Sequence, residues 1–322
     1  MSRTVLQVKN ISVWYPLRGG VFSRVDHYVK AVRSLSFSLQ EREILAIVGE
    51  SGCGKSTLAQ ALVGLALWHE GAYTLFGEPV DVGSGAQWKK ARQKIQMIFQ
   101  DPVSSLNPRQ TVSEILCYPL LARGVSRVKA MEKAVEMLQR VGLLPEILER
   151  FPHEFSGGQR QRLGIARALM LSPEILVCDE VTSALDVSVQ AQVLKLLDEL
   201  RHSLGLSLIF ISHDMQVVRA FADRVLVMYL GESMEEGPVA TVLHSPQHPY
   251  TRALIRSIPT LDRSAPPEIL DGDIEAVPDD YCGCSFAARC PEIREDCKTH
   301  NIEMLTDGIT GVRCLLCTEP KS

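Results

Sequence analysis

The stretch GESGCGKST at Gly49–Thr57 satisfies the spacing G-x-x-x-x-G-K-[ST], follows the apolar run EILAIVG and opens a helical pattern. In that context glycines let successive backbone N–H groups turn towards phosphate oxygens, and the helix N-terminus adds favourable partial charge. Lys55 then reaches the outer phosphates and Ser56 can ligate Mg2+. The candidate phosphate-binding set is Gly49, Ser51, Gly52, Cys53, Gly54, Lys55, Ser56 and Thr57. Asp179 ends the apolar run ILVC, where a carboxylate at the carboxyl edge of a parallel sheet can hold Mg2+. Glu180 follows and can orient or deprotonate an attacking water, although adjacent acids can also merely cap the next helix. His213, after the run SLIFIS, is placed to reach a γ-phosphate, and Gln100, closing KIQMIF, offers an amide to Mg2+ and to the water. A second glycine pair, in FSGGQ at Phe155–Gln159, lies upstream of ILVCDE and opens another helical pattern. A glycine pair at a second helix start implies a second nucleotide contact.

The elements that must position these residues are legible from periodicity. VLQVKN and VRSLSFSLQ read as short strands flanking an irregular stretch with Pro16 and Gly19-Gly20, and EILAIVG reads as a buried central strand. Residues 54–64 are helical, KIQMIF is a strand, and residues 113–140 carry helical periodicity broken at Gly124. After FSGGQ, helices alternate with the strands EILVCD, SLIFIS and RVLVMY, which predicts a mostly parallel sheet covered on both faces. A Pro- and acid-rich stretch near residues 260–280 predicts a linker before the cysteine-rich tail, and there is no internal repeat.

The 322 residues are 46% apolar, ample for a packed core, and carry a net charge of -4. That balance argues against a nucleic-acid partner, since RGVSRVK and WKKARQK are basic only locally. The longest apolar candidate, Ala61–Trp68, is far short of the roughly 20 residues that span a bilayer. The start MSRTVLQVKN does not read as a secretion signal, so a cytosolic location is expected.

The order of these motifs over roughly residues 5–245 resembles that of an ABC-transporter ATP-binding subunit. The resemblance implies an α/β P-loop ABC ATPase fold with a mostly parallel core, an antiparallel β subdomain and a helical subdomain at about 101–165. It makes Gly49–Thr57 the Walker A loop, Gln100 the Q-loop and ILVCDE the Walker B strand. Ser156, Gly157, Gly158 and Gln159 become the signature, SALD from Ser183 to Asp186 the D-loop, His213 the switch histidine, and Tyr15 the ring that stacks on adenine. Trp14 competes for the last role, and the phase of VWYP favours Tyr15. The resemblance further implies that Ser156 and Gly158 bind the γ-phosphate of ATP held by an opposite subunit, and that Ser56, Gln100 and Asp179 hold Mg2+. Val181 stands where the family usually has Pro and Phe155 where Leu is commoner, and both keep apolar bulk.

QDPVSSLNPR, the segment VMYLGESMEEGPVATVLHSPQHPYTRAL and the tail CGCSFAARCPEIREDC resemble the peptide and nickel importer branch. VWYPLRGG and HYVKAV resemble the second ATPase subunit of peptide importers. The expected organisation is an ATP-binding domain at 1–245 and an extension at 246–322. The implied partners are a related second ATP-binding subunit, two permeases and an extracytoplasmic solute-binding protein, with the chain peripheral on the cytoplasmic face of the cell membrane. The solute stays open among peptides, glutathione and nickel chelates. A soluble ABC ATPase acting on nucleic acid or ribosomes is the rival reading, although such proteins usually carry two ATPase units or long coiled-coil inserts.

Six of nine cysteines fall between Cys282 and Cys317, and Cys284, Cys290, Cys297 and Cys314 are spaced C-x5-C-x6-C-x16-C. The resembling branch can carry a [4Fe-4S] cluster on cysteines of this pattern, which would pin a tail short of apolar mass for a core of its own; Ser285 stands where Pro is usual. Zinc accepts the same thiolates, and unligated thiols are the third reading. Cys53 at its helix N-terminus is either an oxidation-sensitive thiol of lowered pKa or simply a small residue that fits.

Overall fold

The computed structural model describes residues 3–19, 24–101, 105–183, 185–257 and 281–317. Two long strands, β1 (Thr4–Gly19) and β2 (Arg24–Gln40), replace the two short strands and irregular stretch that the sequence suggests. The reason lies in pairing. β1 runs antiparallel to β4 (Glu70–Leu75) only from Leu6 to Ser12, so Pro16 falls where that partner has ended and its missing N–H breaks no ladder bond to β4. Between them come β3 (Ile44–Val48), buried throughout, and α1 (Lys55–Leu62).

The chain continues through β5 (Glu78–Pro79), α2 (Gly85–Lys94), β6 (Ile95–Ile98), α3 (Val112–Leu121) and α4 (Arg127–Arg140). Gly124 interrupts the periodicity between α3 and α4 with φ +80°. Thr111 and Glu114 form a reciprocal capping box at the start of α3, while α4 buries Ala130, Ala134, Met137 and Leu138 at helical spacing. Next are α5 (Gly157–Leu169), β7 (Ile175–Asp179), α6 (Val187–Leu204), β8 (Ser207–Ile211), α7 (Met215–Phe221) and β9 (Arg224–Tyr229). The last elements are β10 (Glu232–Pro238), α8 (Val239–His244), α9 (Pro249–Arg256), α10 (Asp296–Thr299), β11 (Leu305–Thr306) and β12 (Gly311–Val312). The expected linker lies largely outside the described residues.

Two compact units result. The first joins residues 1–3, 40–43 and 83–211. In it β6, β7 and β8 pair in parallel, with Ile98 opposite Cys178 and Asp179 opposite Ile211. β7 and β8 are buried at every position, the signature of strands covered on both faces. The helical part packs α3 on α4 and α4 on α5.

The second unit joins residues 4–39, 44–82 and 212–322. β3 runs parallel to β9, β10 returns antiparallel to β9, and the tail adds β12 and β11 beyond β10. Phe286, Ala287, Cys297 and Ile302 of the tail share one core with Val48, Val227, Tyr229, Met234 and Tyr250. The tail, short of apolar mass for a core of its own, is held by adding its few apolar residues to an existing core.

His248 joins this core to α9. Its Nδ1 accepts the Tyr250 N–H at 3.0 Å, and the Glu235 carboxylate accepts the N–H groups of Gln247 and His248, each at 2.9 Å. Burial first, and then the nearby Arg252 charge, push the His248 imidazole from 6.5 down to about 3. The unfolded chain takes up this proton near pH 6.5 while the folded one resists until about pH 3, so stability is complete above the first value and lost as pH falls towards the second. Thermal unfolding of the parent is expected to decline more between pH 7 and 5 than that of His248→Asn, which keeps a capping oxygen but does not titrate. Identical pH profiles would exclude His248 as the source.

Candidate nucleotide site

The phosphate-binding loop lies in the second unit, between β3 and α1. Gly54, the residue before α1, has φ +102°, and a Cβ there would stand 2.1 Å from the Ala31 carbonyl oxygen, so neither backbone nor space admits a side chain. Lys55 is buried and its Nζ donates to the carbonyls of Gly49 and Glu50, both at 2.8 Å, which lays the ammonium across the loop. Ser51 and Gly52 are exposed, and Ser56 and Thr57 half-buried at the start of α1. Cys53 is buried, and desolvation raises its thiol pKa despite Lys55 Nζ at 3.7 Å. The expected lowering is thereby corrected, because burial outweighs the Lys55 ammonium.

Trp14 stacks on His69 with ring centroids 5.1 Å apart and planes 8° from parallel, and the Lys30 ammonium stands 5.5 Å over the indole. Tyr15 is 41% exposed. The strand alternation that engages Trp14 thus leaves Tyr15 as the presented ring.

His213 belongs to the second unit, two residues beyond the end of β8. Ser212 Oγ accepts the Asp214 N–H at 3.0 Å, and Asp214 caps α7 by accepting from Gln216 and Val217. Serine and aspartate therefore shape the turn, and the histidine between them is exposed.

The first unit carries the carboxylates. Asp179 is the last residue of β7 and only 4% exposed. Glu180 follows with φ +44°, a left-handed conformation that costs a non-glycine residue about 1 kcal/mol or more. Contacts with three other residues help hold it there. Its N–H donates to the Ile211 carbonyl at 3.1 Å, its carbonyl accepts the Ser183 hydroxyl at 2.9 Å, and its Oε2 accepts the Gln100 amide at 2.9 Å. Gln100 and Glu180, 80 positions apart, thus form one polar unit, with Ser183 fixing the backbone.

Asp186 caps α6 by accepting the Val189 N–H at 2.9 Å and the Ser188 hydroxyl at 2.8 Å; these bonds lower its carboxyl pKa. The second glycine pair opens α5. Ser156 is the capping residue: its Oγ accepts the Gln159 N–H at 3.4 Å, and Gln159 Oε1 accepts the Ser156 N–H at 3.1 Å. Ser156, Gly157 and Gln159 are exposed and Gly158 half-buried, so the positive end of a 13-residue helix faces outward.

In the tail Cys284 and Cys297 meet through a 2.7 Å backbone hydrogen bond. Burial pushes the Cys284 thiol up to about 11 and the Cys314 thiol up to about 12, and it also raises Cys290. Among the described residues no three His, Cys, Asp or Glu side chains form a group able to hold a metal ion. The expected cluster on Cys284, Cys290, Cys297 and Cys314 is not supported, because among the described residues these thiols do not form a group arranged to hold a metal ion. Stoichiometric iron and acid-labile sulfide on anaerobically purified protein would mean that they draw together on loading.

Sequence reasoning missed Tyr250 and Arg289 as contacts of the phosphate-binding loop. Glu50 N–H donates to Tyr250 Oη at 2.9 Å, and Arg289 pairs with the Glu50 carboxylate at 2.7 Å. No local signal marks either residue, since they lie 200 and 239 positions from Glu50.

Residues 32–183 match the ABC transporter family, and residues 234–297 the oligopeptide/dipeptide transporter C-terminal region. The chain is 46% identical over 301 residues to the oligopeptide transport ATP-binding protein OppF of Haemophilus influenzae, covering 91% of each chain. It is 44% identical to the oligopeptide transport ATP-binding protein AppF of Bacillus subtilis, covering 92% of each. Among solved structures, the dimeric post-hydrolysis state of the ATP-binding cassette MJ0796 bound to ADP and Pi is similar, with a TM-score of 0.64 and 28% identity over 73% of this chain and 98% of that one.

Proposed function

Since this chain belongs to the oligopeptide transport ATP-binding proteins of the ABC transporter family, we propose that it is the ATP-hydrolysing subunit of an importer that carries short peptides through two permease subunits. The observation that carries this reading is that one unit holds both the Gln100–Glu180 hydrogen bond and a separate glycine-rich helix start whose Ser156 and Gly157 are exposed. That start is not the one behind this chain's own phosphate-binding loop. It is available to ATP held by a second ATP-binding subunit, so two ATP molecules are shared between two such subunits.

Lys55 and the loop N–H groups receive the phosphates, and Tyr15 stacks on adenine. Glu180 orients and deprotonates the attacking water, Gln100 holds that carboxylate, and His213 donates towards the γ-phosphate. Ser56, Asp179 and Gln100 are oxygen donors of the kind Mg2+ requires and would hold it; bound there, the metal neutralises charge on the phosphates. Closure of the two subunits on ATP and reopening after hydrolysis is the step that drives transport.

Among the described residues no helix is long and apolar enough to cross a membrane. In this reading the solute path is supplied by the permeases, with this chain peripheral to them on the cytoplasmic face. Val128, Met131 and Val135 of α4 line an apolar groove of about 650 Å³ flanked by Arg127 and Glu132, which suits contact with a permease segment. Full-length tagged chain isolated from solubilised membranes is expected to bring down two polytopic membrane proteins and a second ATP-binding subunit. Recovery of ribosomes or nucleic acid in their place would overturn the assignment.

A further inference from the structure

We propose that Arg289, in the cysteine-rich tail, is a positioning residue for ATP binding that acts through Glu50 of the phosphate-binding loop. Arg289 makes a bidentate pair with the Glu50 carboxylate, Nη1 to Oε2 at 2.7 Å and Nη2 to Oε1 at 3.1 Å. The Arg289 side chain is 6% exposed and that of Glu50 22%, so the pair is well shielded from water. Tyr229 fixes the guanidinium from another side, with its ring 5.9 Å away and its hydroxyl 3.5 Å from Nη1.

Glu50 is held at each of its polar groups. Its N–H donates to Tyr250 Oη at 2.9 Å, its carbonyl accepts Lys55 Nζ at 2.8 Å, and its carboxylate takes Arg289. Tyr250 and Phe286 pack on Tyr229 at centroid distances of 4.8 and 5.3 Å, so tail, α9 and loop meet in one packed contact.

Two effects on ATP follow, and both rest on the assignment of Gly49–Thr57 as the phosphate-binding loop. The pair holds Glu50 between Gly49 and Ser51, which presets the N–H groups that must converge on phosphate. It also neutralises an acid within the loop, whose unpaired charge would oppose an incoming triphosphate.

The test measures ATP hydrolysis by the assembled complex across ATP concentration. Arg289→Ala is expected to raise KM for ATP about tenfold, the scale of a lost charge-assisted contact, with kcat within about twofold of the parent. Arg289→Lys, which keeps charge but not the fork, is expected to fall between. Adding Glu50→Gln to Arg289→Ala removes the stranded acid and is expected to recover most of the lost affinity, which a purely structural role for Arg289 would not do. An unchanged KM in Arg289→Ala, or in Arg289→Lys if the alanine variant does not assemble, overturns the proposal, as does a double variant no better than Arg289→Ala. Failure of the parent complex to hydrolyse ATP would instead strike at the assigned function.

Discussion

Glu180→Gln is expected to leave ATP bound in the complex and to slow its hydrolysis by roughly 10²- to 10⁴-fold, the range over which a general base acts. The substitution is nearly isosteric, and the contacts that fix the residue survive it. The Ile211 carbonyl still accepts the backbone N–H, the Ser183 hydroxyl still donates to the backbone carbonyl, and a side-chain amide oxygen can still accept from Gln100. What disappears is the negative charge and the capacity to take a proton from water. A loss of turnover with intact binding therefore reports chemistry and not misfolding. Single-turnover hydrolysis and retention of labelled ATP separate the two, and near-normal turnover in the assembled complex would remove Glu180 from its role.

Gly157→Asp is expected to cut hydrolysis by the complex by roughly 10²-fold, comparable to loss of a preorganised anion donor, while ATP binding at this chain's own loop stays within about twofold of the parent. Among the described residues a Cβ at Gly157 meets Leu185 Cδ2 at 3.8 Å, an ordinary van der Waals contact. An acid in the first turn of α5 also complements the helix dipole, and thermal stability should hold. The same carboxylate stands where a partner's γ-phosphate is expected, and like charge repels it. Equal losses at both sites, or none, would detach Ser156–Gly158 from the partner's nucleotide.

The parts of the fold readable in advance are those fixed by local periodicity. The wholly buried strands β3, β7 and β8 appear as uninterrupted apolar runs, and Gly124 parts α3 from α4 because its φ of +80° ends a helix cheaply. Glycine spacing also exposed both helix starts. The long β1 and β2 were not legible, because a strand through Pro16 depends on where β4, one of its two neighbours, stops pairing. Nor were the Gln100–Glu180 contact, 80 positions apart, or the grip of the tail on Glu50, which only tertiary packing creates. Cysteine spacing could not decide the ligand set for a related reason: it records order along the chain, whereas a ligand set is a convergence in space, and no such group is found among the described residues.

The central claim is that this chain completes another subunit's site and needs the same contact returned. Its most direct test compares ATP turnover per chain, at equal chain concentration, for the purified chain alone and for the complete complex with the second ATP-binding subunit and both permeases. The account predicts that the isolated chain binds ATP but turns it over at least roughly tenfold more slowly. Equal turnover by a demonstrably monomeric chain would contradict it.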